Sequence, residues 1–168
     1  MDVQGLLLEL FGRIGEHVNR VVDGLDAETL ARSPAPGTNS VGWLVWHLTR
    51  VQDHHVSELL EQEQQWVTGD WAARFGVAPD PDNTGYGHSA AEVAAIRPDG
   101  PEALVGYYRA VAARTSELLG AAGPDQLDRV VDRRWDPPVT LAVRLISIAD
   151  DDIQHAGQAA YVRGLLDR

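Results

Sequence analysis

The chain has 168 residues, 44% of them hydrophobic and 23% charged, and its 14 Lys+Arg against 25 Asp+Glu give a formal net charge of −11. This is a globular composition, not a disordered or fibrous one, and the absence of cysteine removes disulfides, thiolate metal sites and a cysteine nucleophile. The acidity argues against nucleic acid, whose phosphates need clustered Lys/Arg, and no apolar run nears the roughly 18 residues of a membrane helix.

Residues 1–4 lack the positive region of a secretory signal, so a cytoplasmic protein is expected. The length suits one domain. Val3, Leu7, Leu10, Phe11, Ile14, Val18, Val21 and Val22 recur at three- and four-residue steps, which predicts a first helix ending near Asp23-Gly24. Asp26 can cap a short helical turn, and residues 33–39 are loop by composition. Asn39 or Ser40 caps a second helix, which runs through Leu44, Leu48, Val51 and His55 to Leu59-Leu60. From Trp66 to His88 the periodicity fails, and a long loop is expected, with a helical turn around residues 71–75. Ser89-Ala-Ala-Glu92 has the form of a capping box and predicts a short helix over 90–96.

Pro101 opens a third long helix whose apolar face is Leu104, Tyr107, Tyr108, Val111, Leu118 and Leu119. Residues 125–138 form a connector in which 129–135 can be extended, and Thr140 caps a fourth helix. Four long amphipathic helices without a convincing strand pair predict an all-α fold, a four-helix bundle with long connecting loops. A plain up-down-up-down order is not required by those connectors.

The chemistry concentrates in Asp151-Asp-Ile-Gln-His155. Asp151 and His155 stand four apart on a helix, so their side chains emerge one above the other, a spacing that suits two ligands of one cation. His155 shares its stripe with Ile148, Ala159 and Val162, and His47 falls on the core-facing arc of the second helix. Together these three make a His₂-carboxylate set, common for catalytic zinc with one position open; iron, nickel or manganese suits the same donors. The plainer reading is a hydrogen-bonded core histidine beside a simple ion pair.

Three segments resemble one family: Gly42-Trp-Leu-Val-Trp-His-Leu48, Gly85-Tyr-Gly-His-Ser89 with Glu92-Val93, and the run from Asp151 through His155-Ala-Gly-Gln158 to Gly164. In order and extent they are similar to the DinB-like superfamily, in its branch near the mycothiol-dependent maleylpyruvate isomerases and thiol S-transferases. The resemblance covers essentially all of residues 1–168 and implies a single DinB-like four-helix-bundle domain. It implies a divalent metal, zinc or nickel in many members, on His47, Asp151 and His155, although many relatives carry Glu or His where this chain has Asp151. It also implies a thiol S-transferase or isomerase with a low-molecular-weight thiol such as mycothiol as cosubstrate. A chain without cysteine must take its thiol from outside, and a cation in an open shell turns that thiol into the nucleophilic thiolate. Two other readings remain: a hydrolase using metal-activated water, and a metal-binding bundle without catalysis.

Other residues are softer candidates. Tyr86 and His88 lie in a loop able to close over the pocket, His54 is a candidate to support the ligands from behind or to carry a proton, and Gln158 stands one turn beyond His155. For each the plainer reading is a surface or packing residue. Trp43, Trp46 and Trp71 line the pocket or belong to the core; Arg50 and Arg163 bind a carboxylate or pair with surface acids. Ser57 and Ser147 lack a nucleophile-elbow context. A small-molecule thiol and an electrophile are the expected partners. Homodimerisation suits such bundles, though no sequence feature shows it.

Overall fold

The protein's structure, a computed structural model, describes residues 1–166. In chain order its helices are α1 (Val3–Val22), α2 (Ala27–Ala31), α3 (Val41–Leu60), α4 (Gln65–Thr68), α5 (Trp71–Arg74), α6 (Ala90–Ala95), α7 (Pro101–Ala121) and α8 (Leu141–Leu166). A 3₁₀ turn (Pro124–Gln126) and two short strands, β1 (Val130–Asp132) and β2 (Val139–Thr140), join α7 to α8. The fold is all-α, with α1, α3, α7 and α8 as its long helices. Among the described residues no helix is long and apolar enough to cross a membrane.

The starts of these helices follow from side-chain chemistry. Asp2 accepts from the Gly5 amide to open α1, and Ser40 accepts from the Trp43 amide to open α3. Ser89 and Glu92 form the reciprocal capping box of α6, and Pro101 supplies the pre-set first turn of α7. Where the loop was expected to begin, Trp66 lies within α4 instead. That single turn forms because Asp53 of α3 accepts from the Gln65 and Trp66 amides, a partner twelve or more residues away in sequence. The expected lack of a strand pair also needs correcting: β1 and β2 pair antiparallel, with Val130 opposite Thr140. Pro137 and Pro138, between the two strands, hid so short a ribbon.

Side-chain partners fix the directions of the long helices. Gln4 of α1 bonds to Leu119 of α7, and Asn19 to Arg109, so these two run antiparallel. Arg50 and Ser57 of α3 meet Tyr107 and Arg114 of α7, so this pair is parallel. His47 and His55 of α3 face His155 and Arg144 of α8, which makes them antiparallel. The order is therefore up-down-down-up, with α1 and α3 each packed on both α7 and α8. Two consecutive parallel helices, α3 and α7, demand a crossover the length of the bundle. Residues 61–100 provide it, and that crossover covers one end of the α3/α8 seam. Val18, Leu44, Val45, Trp46, Tyr107, Val111 and Ile148 are fully buried among the four long helices, each such aliphatic side chain stabilising by roughly 1.5–3 kcal/mol.

Candidate metal centre

His47 is buried in the middle of α3, and Asp151 and His155 project from consecutive turns of α8 opposite it. One donor atom from each of the three lies within 4.8 Å of the others. The His47 and His155 rings meet edge to face at 4.5 Å between centroids. This is the convergence predicted from helix periodicity alone.

Both imidazoles are held so that the same nitrogen remains open. His47 Nδ1 is 2.5 Å from the Thr84 carbonyl oxygen, and a carbonyl only accepts, so Nδ1 carries the proton. His155 Nδ1 donates in the same way to the Asp151 carbonyl one turn back, at 2.8 Å. Each ring is left with an Nε2 lone pair. A backbone carbonyl on the far nitrogen is the usual means by which proteins orient a metal-binding imidazole. Asp151 Oδ2 is buried without a hydrogen-bond partner: His155 Nδ1 stands 3.3 Å away, but its proton is directed at the Asp151 carbonyl. Two Nε2 lone pairs and one open carboxylate oxygen form a donor set that fits a divalent cation.

The electrostatics of the two rings differ. Burial lowers the pKa of His47, outweighing the Thr84 bond that favours its charged form. Burial pulls His155 down as well, but the hydrogen bonds and charge of Asp151 together reverse it, so the net shift is upward.

Behind this set the crossover is tightly fixed. Gly85, at φ +92, passes so close that a Cβ there would lie 2.8 Å from Trp46 and 2.9 Å from His47 Nδ1. Trp43 stacks on His47 with centroids 4.7 Å apart. Arg50 corrects both readings offered for it, since it is neither a ligand arginine nor a surface one: its side chain is 0% exposed. It donates to the Asp80, Pro81 and Asn83 carbonyls of the crossover, to Gln64 Oε1 and to the Tyr107 hydroxyl. Its ion partner, Asp53, stands 3.6 Å away.

A cleft of about 870 Å³ opens beside the centre, within the range usual for small-molecule sites. His47 and Asp151 line its inner end and His54, His55, Tyr86, Arg134, Trp135 and Arg144 its outer wall, while His155 sits behind. Of the softer candidates, His54 and Tyr86 thus reach the cleft. Gln64 donates to His54 Nδ1, its amide orientation being set by Arg50 and Pro81. His54 therefore carries its proton on Nε2 and is a donor toward the cleft. His88 does not line the cleft: it accepts from Trp43 Nε1 and donates to Asn83 Oδ1, which fixes the loop. Gln158 is exposed and away from the cleft. Trp46 is core and Trp71 packs against Tyr107, so neither lines it. Arg163 donates to the Arg20 carbonyl. Thr84, Arg134, Trp135 and Arg144 were not singled out from sequence: the paths of the crossover and the β1–β2 ribbon bring the first three here, and Arg144 of α8 gains its partner Asp132 only from that ribbon.

A family model described as Mycothiol-S-transferase matches residues 6–168. The chain belongs to this DinB-like, mycothiol S-transferase family. A conserved protein from Enterococcus faecalis, known from its crystal structure, is similar at 32% identity, over 99% of this chain and 98% of its own, with a TM-score of 0.90. No curated protein matches the chain. Membership in the family agrees with the resemblance carried by the His47, Gly85–Ser89 and His155–Gln158 segments.

Proposed function

We propose that residues 1–168 act as one domain, a divalent-metal-dependent enzyme that activates a low-molecular-weight thiol at His47, Asp151 and His155. The observation that carries this reading is the pair of carbonyl-fixed imidazoles with free Nε2 atoms beside an unpartnered Asp151 oxygen. Zinc suits the set best, with nickel, iron and manganese as the other candidates. His47, Asp151 and His155 would hold a divalent cation, which would supply Lewis acidity to lower the pKa of a thiol so that its sulfur could act as the nucleophile near neutral pH. The chain's own groups do the rest. Thr84 and the Asp151 carbonyl hold the imidazoles in one tautomer. Trp43 excludes water from the face of His47. His54 Nε2–H, a fixed donor on the cleft wall, orients the acceptor, and Tyr86 forms the rim. Family membership supports a thiol, and mycothiol in particular, over water as the species activated.

The test is elemental analysis of protein purified without added metal, followed by a thermal-shift series with mycothiol, bacillithiol, glutathione and coenzyme A. About one metal per chain, lost in His155→Ala, is expected, together with metal-dependent stabilisation by one thiol. Ester or amide turnover without any thiol would replace transfer by hydrolysis. Absence of metal from a folded protein would remove the proposal.

A further inference from the structure

The outer wall of the cleft has a chemical character of its own. Arg144 lies seven residues before Asp151 on the same face of α8, about 10 Å along the helix axis. Its side chain is only 11% exposed, yet among the described residues it makes just two contacts: to Asp132 Oδ2 at 2.8 Å and to His55 Nε2 at 3.4 Å. A guanidinium offers five N–H donors, so part of this nearly buried group has no protein acceptor. Arg134 donates through Nε and one terminal nitrogen to the same Asp132. One carboxylate thus serves two guanidinium groups. Glu58, 3.7 Å from Arg134, offsets that outer charge in part and makes no contact with Arg144. His55 is neutral, its pKa lowered to about 4 by burial and then by the charge of Arg144, and it accepts from Arg144 without adding charge of either sign. Asp132 and Glu58 balance the two guanidinium groups in number, and Asp82 lines the same cleft, so what this wall offers an anion is guanidinium N–H donors without a protein acceptor, not an excess of positive charge.

Beside these groups stand two large aromatic side chains without cover. Trp135 is 66% exposed and Tyr86 is 93% exposed, and both line the cleft. Exposed aromatic rings on a cleft that also presents unfilled guanidinium donors suit a planar, singly anionic group, which stacks on the ring and is bound by the fork of N–H donors.

We propose that Arg144, Arg134 and Trp135 form a carboxylate subsite, which holds a planar carboxylate-bearing portion of a reactant about two helical turns from the His47–Asp151–His155 centre. It rests on the reading of this cleft as the reaction site, but the subsite's own binding does not require the cation. The carboxylate belongs either to the electrophilic acceptor, as it must if the thiol is mycothiol, which has none, or to a carboxylate-bearing thiol of the glutathione or bacillithiol kind, and the test separates these sources.

The experiment is calorimetric titration of full-length protein, metal-free and zinc-loaded, with benzoate, its neutral analogue benzamide, and S-methylglutathione, whose sulfur is blocked. Wild type is compared with Arg144→Gln, Arg134→Gln and Trp135→Ala; the last two lie on the exposed ribbon and keep the test alive if Arg144→Gln fails to fold. Benzoate binding that is at least tenfold tighter than benzamide binding, and is weakened about tenfold in Arg144→Gln or Arg134→Gln, assigns the subsite to an acceptor carboxylate. The same loss with S-methylglutathione alone assigns it to the thiol. Unchanged zinc content in the variants separates the subsite from the metal centre, and carboxylate binding that persists in a protein without metal or thiol response would leave the subsite standing while the proposed function fell. Equal binding of benzoate and benzamide, or carboxylate binding indifferent to both arginines, overturns the proposal.

Discussion

Two polar clusters are buried along α3, one turn apart, and they differ in a single respect. Around Arg50 and Asp53 almost every donor meets an acceptor: five hydrogen bonds leave the guanidinium, and the carboxylate accepts from Ser57, Gln65, Trp66 and Tyr107. Around His47 both Nδ1 atoms are satisfied by carbonyls, while the Nε2 atoms and an Asp151 oxygen are left, among the described residues, without a protein partner in one cluster of donors. Burying polar groups costs free energy unless they are paired. The first cluster is therefore architecture, and it fastens the crossover. The second keeps donors unpaired where a bound species can complete them. Asp152, fully buried on α8 with neither oxygen bonded, shows why one open group is not enough. It stands alone, and burial followed by the charge of Asp151 pushes its pKa well up, toward the neutral form.

This contrast can be broken in order of expected effect. Arg50→Met should be the most damaging change, because it strands Asp53 and frees three crossover carbonyls; urea denaturation should show a loss of about 3–5 kcal/mol, the usual result of removing one partner from a buried pair. Gly85→Ala combines a positive φ with a Cβ 2.8 Å from Trp46; about 1–3 kcal/mol is expected, and the displaced His47 should weaken zinc in a competition assay with a chelator. His155→Ala should separate site from scaffold, with metal content lost and unfolding free energy within about 1–2 kcal/mol of wild type, since among the described residues the partly buried ring hydrogen-bonds only to its own helix. If His155→Ala unfolds the protein as Arg50→Met does, the distinction between the clusters fails.

The smallest effect concerns pH and lies at the cleft's outer wall. Hydrogen bonds from the Arg134 side chain and backbone, with the charges of Arg134 and Arg144, hold the Asp132 pKa far below the usual carboxylate value. A depressed folded-state pKa gives stability that is present above the unfolded value, roughly 3.9, and lost as pH falls below it. Asp132→Asn should therefore be less stable than wild type at pH 7, and the gap should close in denaturation curves taken on the acid side of pH 4.

Helix periodicity carried most of the centre. Asp151 and His155 are neighbours on one helix, and His47 shares an arc with Leu44 and Val51, so their meeting needs only that two amphipathic faces pack. The resemblance to the thiol-transferase branch added the cation and the thiol, which spacing could not supply. What stayed hidden depends on contacts far apart in sequence. Arg50 reads as an ordinary helix arginine because its acceptors are carbonyls some thirty residues on. Trp135 was passed over because the ribbon that carries it is two short strands separated by Pro137-Pro138, and Arg144 because its partner Asp132 lies on that ribbon. The direction of α7 relative to α3 was equally invisible, since periodicity locates an apolar face and says nothing about polarity along the bundle.

The group that steers His47 is a main-chain oxygen, and this sets how the site tolerates change over time. Replacing Thr84 by another residue leaves that oxygen where it is, so the position is free to drift in sequence without altering the lone pair offered by the imidazole. Constraint falls instead on the neighbour with no side chain, Gly85, whose substitution moves the strand of backbone bearing the acceptor. In relatives, variety at position 84 beside near-uniform glycine at 85 is the pattern this arrangement imposes.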